Sequence, residues 1–142
     1  KVLKEGAKNA NLFIENNVFS KTNAMTFEDK NPFMMTNFSE YEFLKKEIDF
    51  NLLLDVAHLK VSAKTLGLIW ESEFESMMNV SSYIHVSDND SCHDLNHRLT
   101  KNSSLVSMLK NSDTKYKDFT LEVYDGMSAI KSSYDILAES VL

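Results

Sequence analysis

Apolar residues gather in four short runs, at 11–14, 51–54, 83–86 and 119–123, separated by polar stretches and by segments with helical spacing. Runs of this length bounded by polar residues read as strands. Asn51 to Leu54 is nearly continuous in leucine, the kind of strand buried on both faces of a parallel sheet. Between the runs the period changes. Ser39-Glu40-Tyr41-Glu42 forms a capping box that opens a helix with Tyr41, Leu44 and Ile48 on one face. A second helical segment carries Leu68, Ile69, Phe74, Met77 and Met78. A third, capped by Ser103 or Ser104, carries Leu105, Met108 and Leu109. Asp125 is placed to cap the last helix, where Met127, Ile130, Tyr134, Leu137 and Val141 recur at gaps of three and four. Residues 1–9 read as the tail of a helix. Asn16 to Asn37, with the only proline, and Ser87 to Lys101 read as long polar loops.

Strands alternating with helices need crossover connections, so the expected class is α/β with a parallel sheet, and no linker divides residues 1–142. The length suffices for one domain with a real core. Hydrophobic residues at 43% and charged residues at 25% describe a folded globular chain. A net charge of −6 disfavours nucleic-acid binding. The single cysteine, Cys92, allows no internal disulfide, which fits a reducing, cytoplasmic setting, and no run is long enough to span a membrane. The chain opens on Lys1 rather than Met, as a segment or a processed product would.

The runs end in unusual residues. Glu15, Asp55, His85 and Glu122 each stand at or near a run's carboxyl end. In parallel α/β folds these ends share one face of the sheet, where ligands bind. An ionised carboxylate ending a buried strand is costly unless something pairs with it. Three carboxylates and an imidazole suit a divalent cation such as Mn²⁺, Zn²⁺, Co²⁺ or Mg²⁺. Taken singly, each acid also fits a helix cap or a lysine partner, and His85 fits a hydrogen-bonded core histidine. His58 follows Asp55 by three residues and can lean over the same pocket. The stretch from Asp88 to His97 is dense in Asp, Asn and His, which equally suits a solvated, turn-rich loop.

The segment Leu52-Leu53-Leu54-Asp55-Val56-Ala57-His58-Leu59 resembles the "LxLDxxH" strand of the xylose isomerase-like barrel superfamily, which includes sugar-phosphate isomerases and epimerases and metal-dependent AP endonucleases. Leu12-Phe13-Ile14-Glu15-Asn16 is similar to its "LxLEN" strand. Ile84-His85-Val86-Ser87-Asp88-Asn89-Asp90, followed by Asp94 and His97, is similar to its "HxSDNDG…D…H" strand and loop. Leu121-Glu122-Val123-Tyr124 is similar to the closing "LEVY" strand. The resemblance implies strands five to eight of a (β/α)8 TIM barrel, its C-terminal half, since a full barrel takes about 250 residues. It implies a divalent metal held by Glu15, Asp55, His85 and Glu122. The two glutamates would shuttle a proton through an enediolate, with His58, Asp94 and His97 binding substrate.

The implied activity is isomerisation or epimerisation of a sugar or sugar phosphate. The alternatives are an AP-endonuclease-like phosphodiesterase and a non-catalytic ligand-binding relative. The family's glycines are absent here: Ser91 and the segment Arg98-Leu99-Thr100-Lys101-Asn102 stand in their place. Four strands alone leave open sheet edges. The expected partner for those edges is a missing N-terminal half or a second copy in a homo-oligomer.

Overall fold

The computed structural model describes residues 10–141. Strands β1 (Phe13–Glu15), β2 (Asn51–Asp55), β3 (Tyr83–Val86) and β4 (Asp118–Leu121) lie in that order in one sheet, and every neighbouring pair is parallel. The described helices are α1 (Lys21–Thr26), α2 (Phe38–Glu47), α3 (Val56–Leu66), α4 (Trp70–Val80), α5 (Ser104–Lys110) and α6 (Met127–Val141). The parallel βα order expected from the sequence is the order observed. The helix expected over residues 1–9 falls outside the described residues.

The sheet has two unlike faces, because successive side chains alternate across a strand. Ile14, Leu52, Leu54, Ile84, Val86, Phe119 and Leu121 join Leu59, Phe74, Met77, Leu105, Leu109 and Leu137 from the helices in one core. Leu54, Ile84 and Val86 are 0% exposed. Burying each such side chain contributes about 1.5–3 kcal/mol. On the other face Phe13 meets Tyr83 edge-on at 5.6 Å, and the Tyr83 hydroxyl lies 2.9 Å from that of Thr120. Leu53 on this face is half-buried and Asn51 exposed, so the Asn51–Leu54 run is not buried on both faces as expected. Phe13, Leu53 and Tyr83 lie outside the core and are only partly buried, so this side is the less covered one.

Several connections differ from expectation. The Asn16–Asn37 stretch holds the short helix α1, capped by Ser20, whose hydroxyl pairs with Asn23. Helix α2 is capped by Asn37 and not by Ser39: Asn37 Oδ1 accepts from Glu40 N at 3.0 Å, and the Glu40 carboxylate turns back to Thr36. Ile48 lies beyond α2 and is 47% exposed. Helix α3 follows β2 with no intervening residue and ends at Gly67, whose φ of 70° closes the helix in the left-handed region. Leu68 and Ile69 therefore lie between two helices rather than in one. Helix α6 starts at Met127, and Asp125 is engaged elsewhere.

Candidate metal centre

The less covered face carries Glu15, Asp55, His85 and Glu122 at its carboxyl end. Parallel pairing sets Asp55 directly opposite His85, and Glu15 opposite Leu53. Glu122 N donates to Val86 O at 3.1 Å, which extends the ladder one residue past β4. One ligand atom each from Glu15, Asp55 and His85 lies within 4.8 Å of the others. A cation bonded at about 2.1 Å holds neighbouring ligands about 3.0–3.4 Å apart, a contraction that side-chain rotation can supply. Glu122 Oε1 lies 2.8 Å from His85 Nδ1. The structure thus groups Glu15, Asp55 and His85, with Glu122 set against His85.

Asp55 is 1% exposed. Its Oδ1 accepts from His58 N at 2.8 Å and caps α3. Its Oδ2 is buried with no hydrogen-bond partner. His85 Nδ1 is buried and makes no hydrogen bond, its neighbour being the Glu122 carboxylate. The orphaned Asp55 Oδ2, buried beside this pair, is an atom that a cation would satisfy. Burial pushes the Asp55 carboxyl above its ordinary value, and the Glu122 charge adds to this, against the opposing pull of His58. Burial likewise raises Glu15, with Asp55 and Glu122 adding to it and His58 opposing. The donor set fits a hard or borderline divalent ion and needs no thiolate.

His58 leaves the first turn of α3 toward the cluster. Its Nδ1 lies 3.0 Å from Asn16 O and 3.4 Å from Glu15 Oε1, and its Nε2 lies 3.5 Å from Asp94 Oδ1. Burial lowers the imidazole pKa. Asp55, the Asn16 carbonyl, Asp94 and Glu15 outweigh it, so the net shift is upward. His97 stands apart from the ligands: its Nδ1 pairs with Asp125 Oδ1 at 3.0 Å, while Asp125 Oδ2 accepts from Arg98 N at 2.8 Å. These contacts hold the Asp125 carboxyl below its ordinary value, the Arg98 amide foremost. His58, Asp94, His97, Glu122 and Asp125 line one cavity of about 380 Å³.

The loop after β3 is ordered by its own polar residues. Asp88 and His97 exchange backbone hydrogen bonds of 2.9 and 2.8 Å. Lys60 from α3 pairs with the Asp88 carboxylate and donates to Asn89 O at 2.8 Å, and Asn89 Nδ2 donates to Ala57 O at 3.0 Å. Asn96 Nδ2 reaches Glu122 Oε2 at 3.3 Å. The sequence did not point to Lys60 or Asn96, placed Asp125 only as a helix cap, and gave Asn16 only as the last residue of a strand motif. Only Asn16 carries a local signal, its place directly after Glu15.

No family model matches the chain, and no curated protein matches it. Among solved structures it is similar to one titled "Crystal structure of D-tagatose 3-epimerase-like protein", at TM-score 0.71 and 15% identity, over 98% of this chain and 50% of that one. The chain spans about half the length of that structure, and at this identity the likeness is one of fold. Among the described residues no helix is long and apolar enough to cross a membrane.

Proposed function

We propose that this chain is the metal-binding half of a divalent-cation-dependent sugar isomerase or epimerase, corresponding to strands five to eight of a TIM barrel. The less covered sheet face would then be closed by the other half or by a second copy. The observation that carries the reading is the clustering of Glu15, Asp55 and His85 ligand atoms within 4.8 Å, with Asp55 Oδ2 buried and unpartnered. Likeness in fold to a structure titled as epimerase-like supports it.

Glu15, Asp55, His85 and Glu122 would hold the cation. Bound there, it would supply Lewis acidity toward neighbouring carbonyl and hydroxyl oxygens of a sugar, acidifying the C–H of the hydroxyl-bearing carbon beside the carbonyl. The strand order puts Glu15 and Glu122 on the two outer strands, either side of Asp55 and His85. One can take the proton from carbon and the other return it. His58, oriented through Nδ1 by the Asn16 carbonyl, presents Nε2 to the cavity, where it can hold a substrate oxygen. Asp94 and His97 line the same space. The lining includes Asp94, Glu122 and Asp125 and neither lysine nor arginine, which favours an uncharged sugar over a phosphate ester and disfavours a phosphodiester.

Elemental analysis tests the site. The purified protein should retain a divalent metal, and Glu15→Gln and Glu122→Gln should retain much less. The metal-loaded protein, incubated with a panel of ketoses including D-tagatose in ²H₂O, should place deuterium on carbon. No uptake of Mn²⁺, Zn²⁺, Co²⁺ or Mg²⁺ by the wild type would overturn the reading.

A further inference from the structure

Asn16 follows Glu15 where β1 ends and is 1% exposed. Each of its four polar groups engages the junction between β2 and α3. Its N–H donates to Leu53 O at 3.3 Å. Its side-chain Oδ1 accepts from Asp55 N at 2.7 Å, and its Nδ2 donates to Asp55 O at 3.0 Å. Its carbonyl oxygen lies 3.0 Å from His58 Nδ1. The side-chain amide therefore pairs both backbone polar groups of Asp55, as a further ladder residue would. Only an amide offers a donor and an acceptor side by side, and a carboxylate would offer two acceptors.

We infer that Asn16 is a positioning residue for the cation site. It contributes no ligand atom. It fixes the strand end that carries Glu15 to the backbone of Asp55, and it orients the His58 ring through its carbonyl. Glu15, Asp55 and His58 thereby form one frame whose spacing is set before a cation arrives. The frame matters because β1 is only three residues long, and the Glu15 and Asp55 carboxylates repel each other in the metal-free protein. Without the amide, Glu15 is free to move away from Asp55, and binding must then bear the cost of ordering it. Partners that orient ligands in this way typically change metal affinity by about 10- to 100-fold when removed.

The inference rests on the metal-binding reading, and the test separates the two. Mn²⁺ binding is measured by calorimetry at one pH for wild type, Asn16→Ala, Asn16→Gln and Ser81→Ala. Asn16→Gln keeps the amide but displaces it by a methylene. Ser81 is 2% exposed, and its hydroxyl donates to Leu52 O at 2.8 Å, so Ser81→Ala removes a buried bond to the same strand away from the ligands. Both Asn16 variants should bind Mn²⁺ about 10- to 100-fold more weakly. Their Co²⁺ complexes should have an altered visible spectrum, and Ser81→Ala should match wild type on both counts.

Asn16 variants with wild-type affinity and spectrum would overturn the inference alone, as would an equal loss in Ser81→Ala. A wild type that takes up no Mn²⁺ overturns the metal reading and this inference with it. If neither Asn16 variant folds, the wild type decides. Its Asn16 side-chain NH₂ resonances should shift during a Mg²⁺ titration with the midpoint of binding, and resonances that stay fixed overturn the proposal.

Discussion

Asp55→Asn should reverse its effect on stability when metal is added. Asparagine caps a helix about as well as aspartate, so the bond from His58 N is kept. What changes is charge. At a separation of at most 4.8 Å, two carboxylates repel by at least about 3.5 kcal/mol at an effective dielectric of 20. The Glu15 side chain is 40% exposed, so solvent screening brings this to about 1–2 kcal/mol. The new amide can also donate to Glu15 or Glu122, which gives the orphaned position a partner. In EDTA at pH 8 the variant should melt about 3–6 °C above wild type. With Mn²⁺ at a hundred times its Kd, wild type gains about 2.7 kcal/mol, while the variant, short of one anionic ligand, gains little. The order of the two melting temperatures should invert. A variant less stable than wild type in EDTA, or one raised by Mn²⁺ as much as wild type, would refute the argument that these acids form a strained cluster completed by a cation.

Two further outcomes follow from the same structure. Glu15, Asp55 and His58 all have pKa values raised above their ordinary 4.5, 3.8 and 6.5. Each therefore stabilises the fold below its ordinary value and loses that contribution as pH rises through the shifted one. Metal-free protein should have a higher urea midpoint at pH 5 than at pH 8, and saturating Mn²⁺ should narrow or reverse the gap. Asp90, Asp125 and Glu139, shifted downward, act in the opposite sense at more acid pH. A higher midpoint at pH 8 without metal would contradict the assignment. Separately, Asn37→Ala should cost about 1 kcal/mol in a urea melt as a lost cap, and Ser39→Ala should stay within about 0.5 kcal/mol; the reverse ranking would return the cap to Ser39.

The strands were legible because each is a short apolar run ending in a chemically distinct residue. Tyr83–Val86 matches the run 83–86 residue for residue. The grouping of Glu15, Asp55 and His85, with Glu122 beside His85, was legible for the same reason: parallel strands bring their carboxyl ends together, so these side chains needed only correct strand direction to approach one another. Helix α3 was hidden because Asp55 ends β2 and caps α3 at once. The apolar run from Leu52 passes into Val56 and Ala57 with no polar break to mark the change of period. Helix α1 was hidden because Ala24 is its only buried residue and Asn23 stands where a capping box usually has Glu or Gln. At α2, Asn37–Glu40 and Ser39–Glu42 are competing caps two residues apart. The choice falls to tertiary contacts, including the 2.7 Å bond from Phe38 N to Glu73. The roles of Asn16 and Asp125 depend on contacts to residues 39 and 27 positions away, which no local pattern records.

The less covered face of the sheet ties these findings together. Its lower part carries Phe13, Leu53 and Tyr83, half-buried, and its upper end carries three carboxylates around one imidazole. Apolar side chains left in water and acids left beside one another are both unfavourable, for unrelated physical reasons. Each is relieved by something arriving on the same side: an apolar layer below and a cation above. A surface serving only as a solvated edge would need neither, and its strands would alternate with polar residues there. That Leu53 interrupts such alternation while its neighbours Glu15 and Asp55 are drawn into one cluster argues that packing and chemistry on this face were shaped together. The proposed barrel half, with its ligands at the mouth, would account for the residues of β1 to β4 on the two faces with a single architecture.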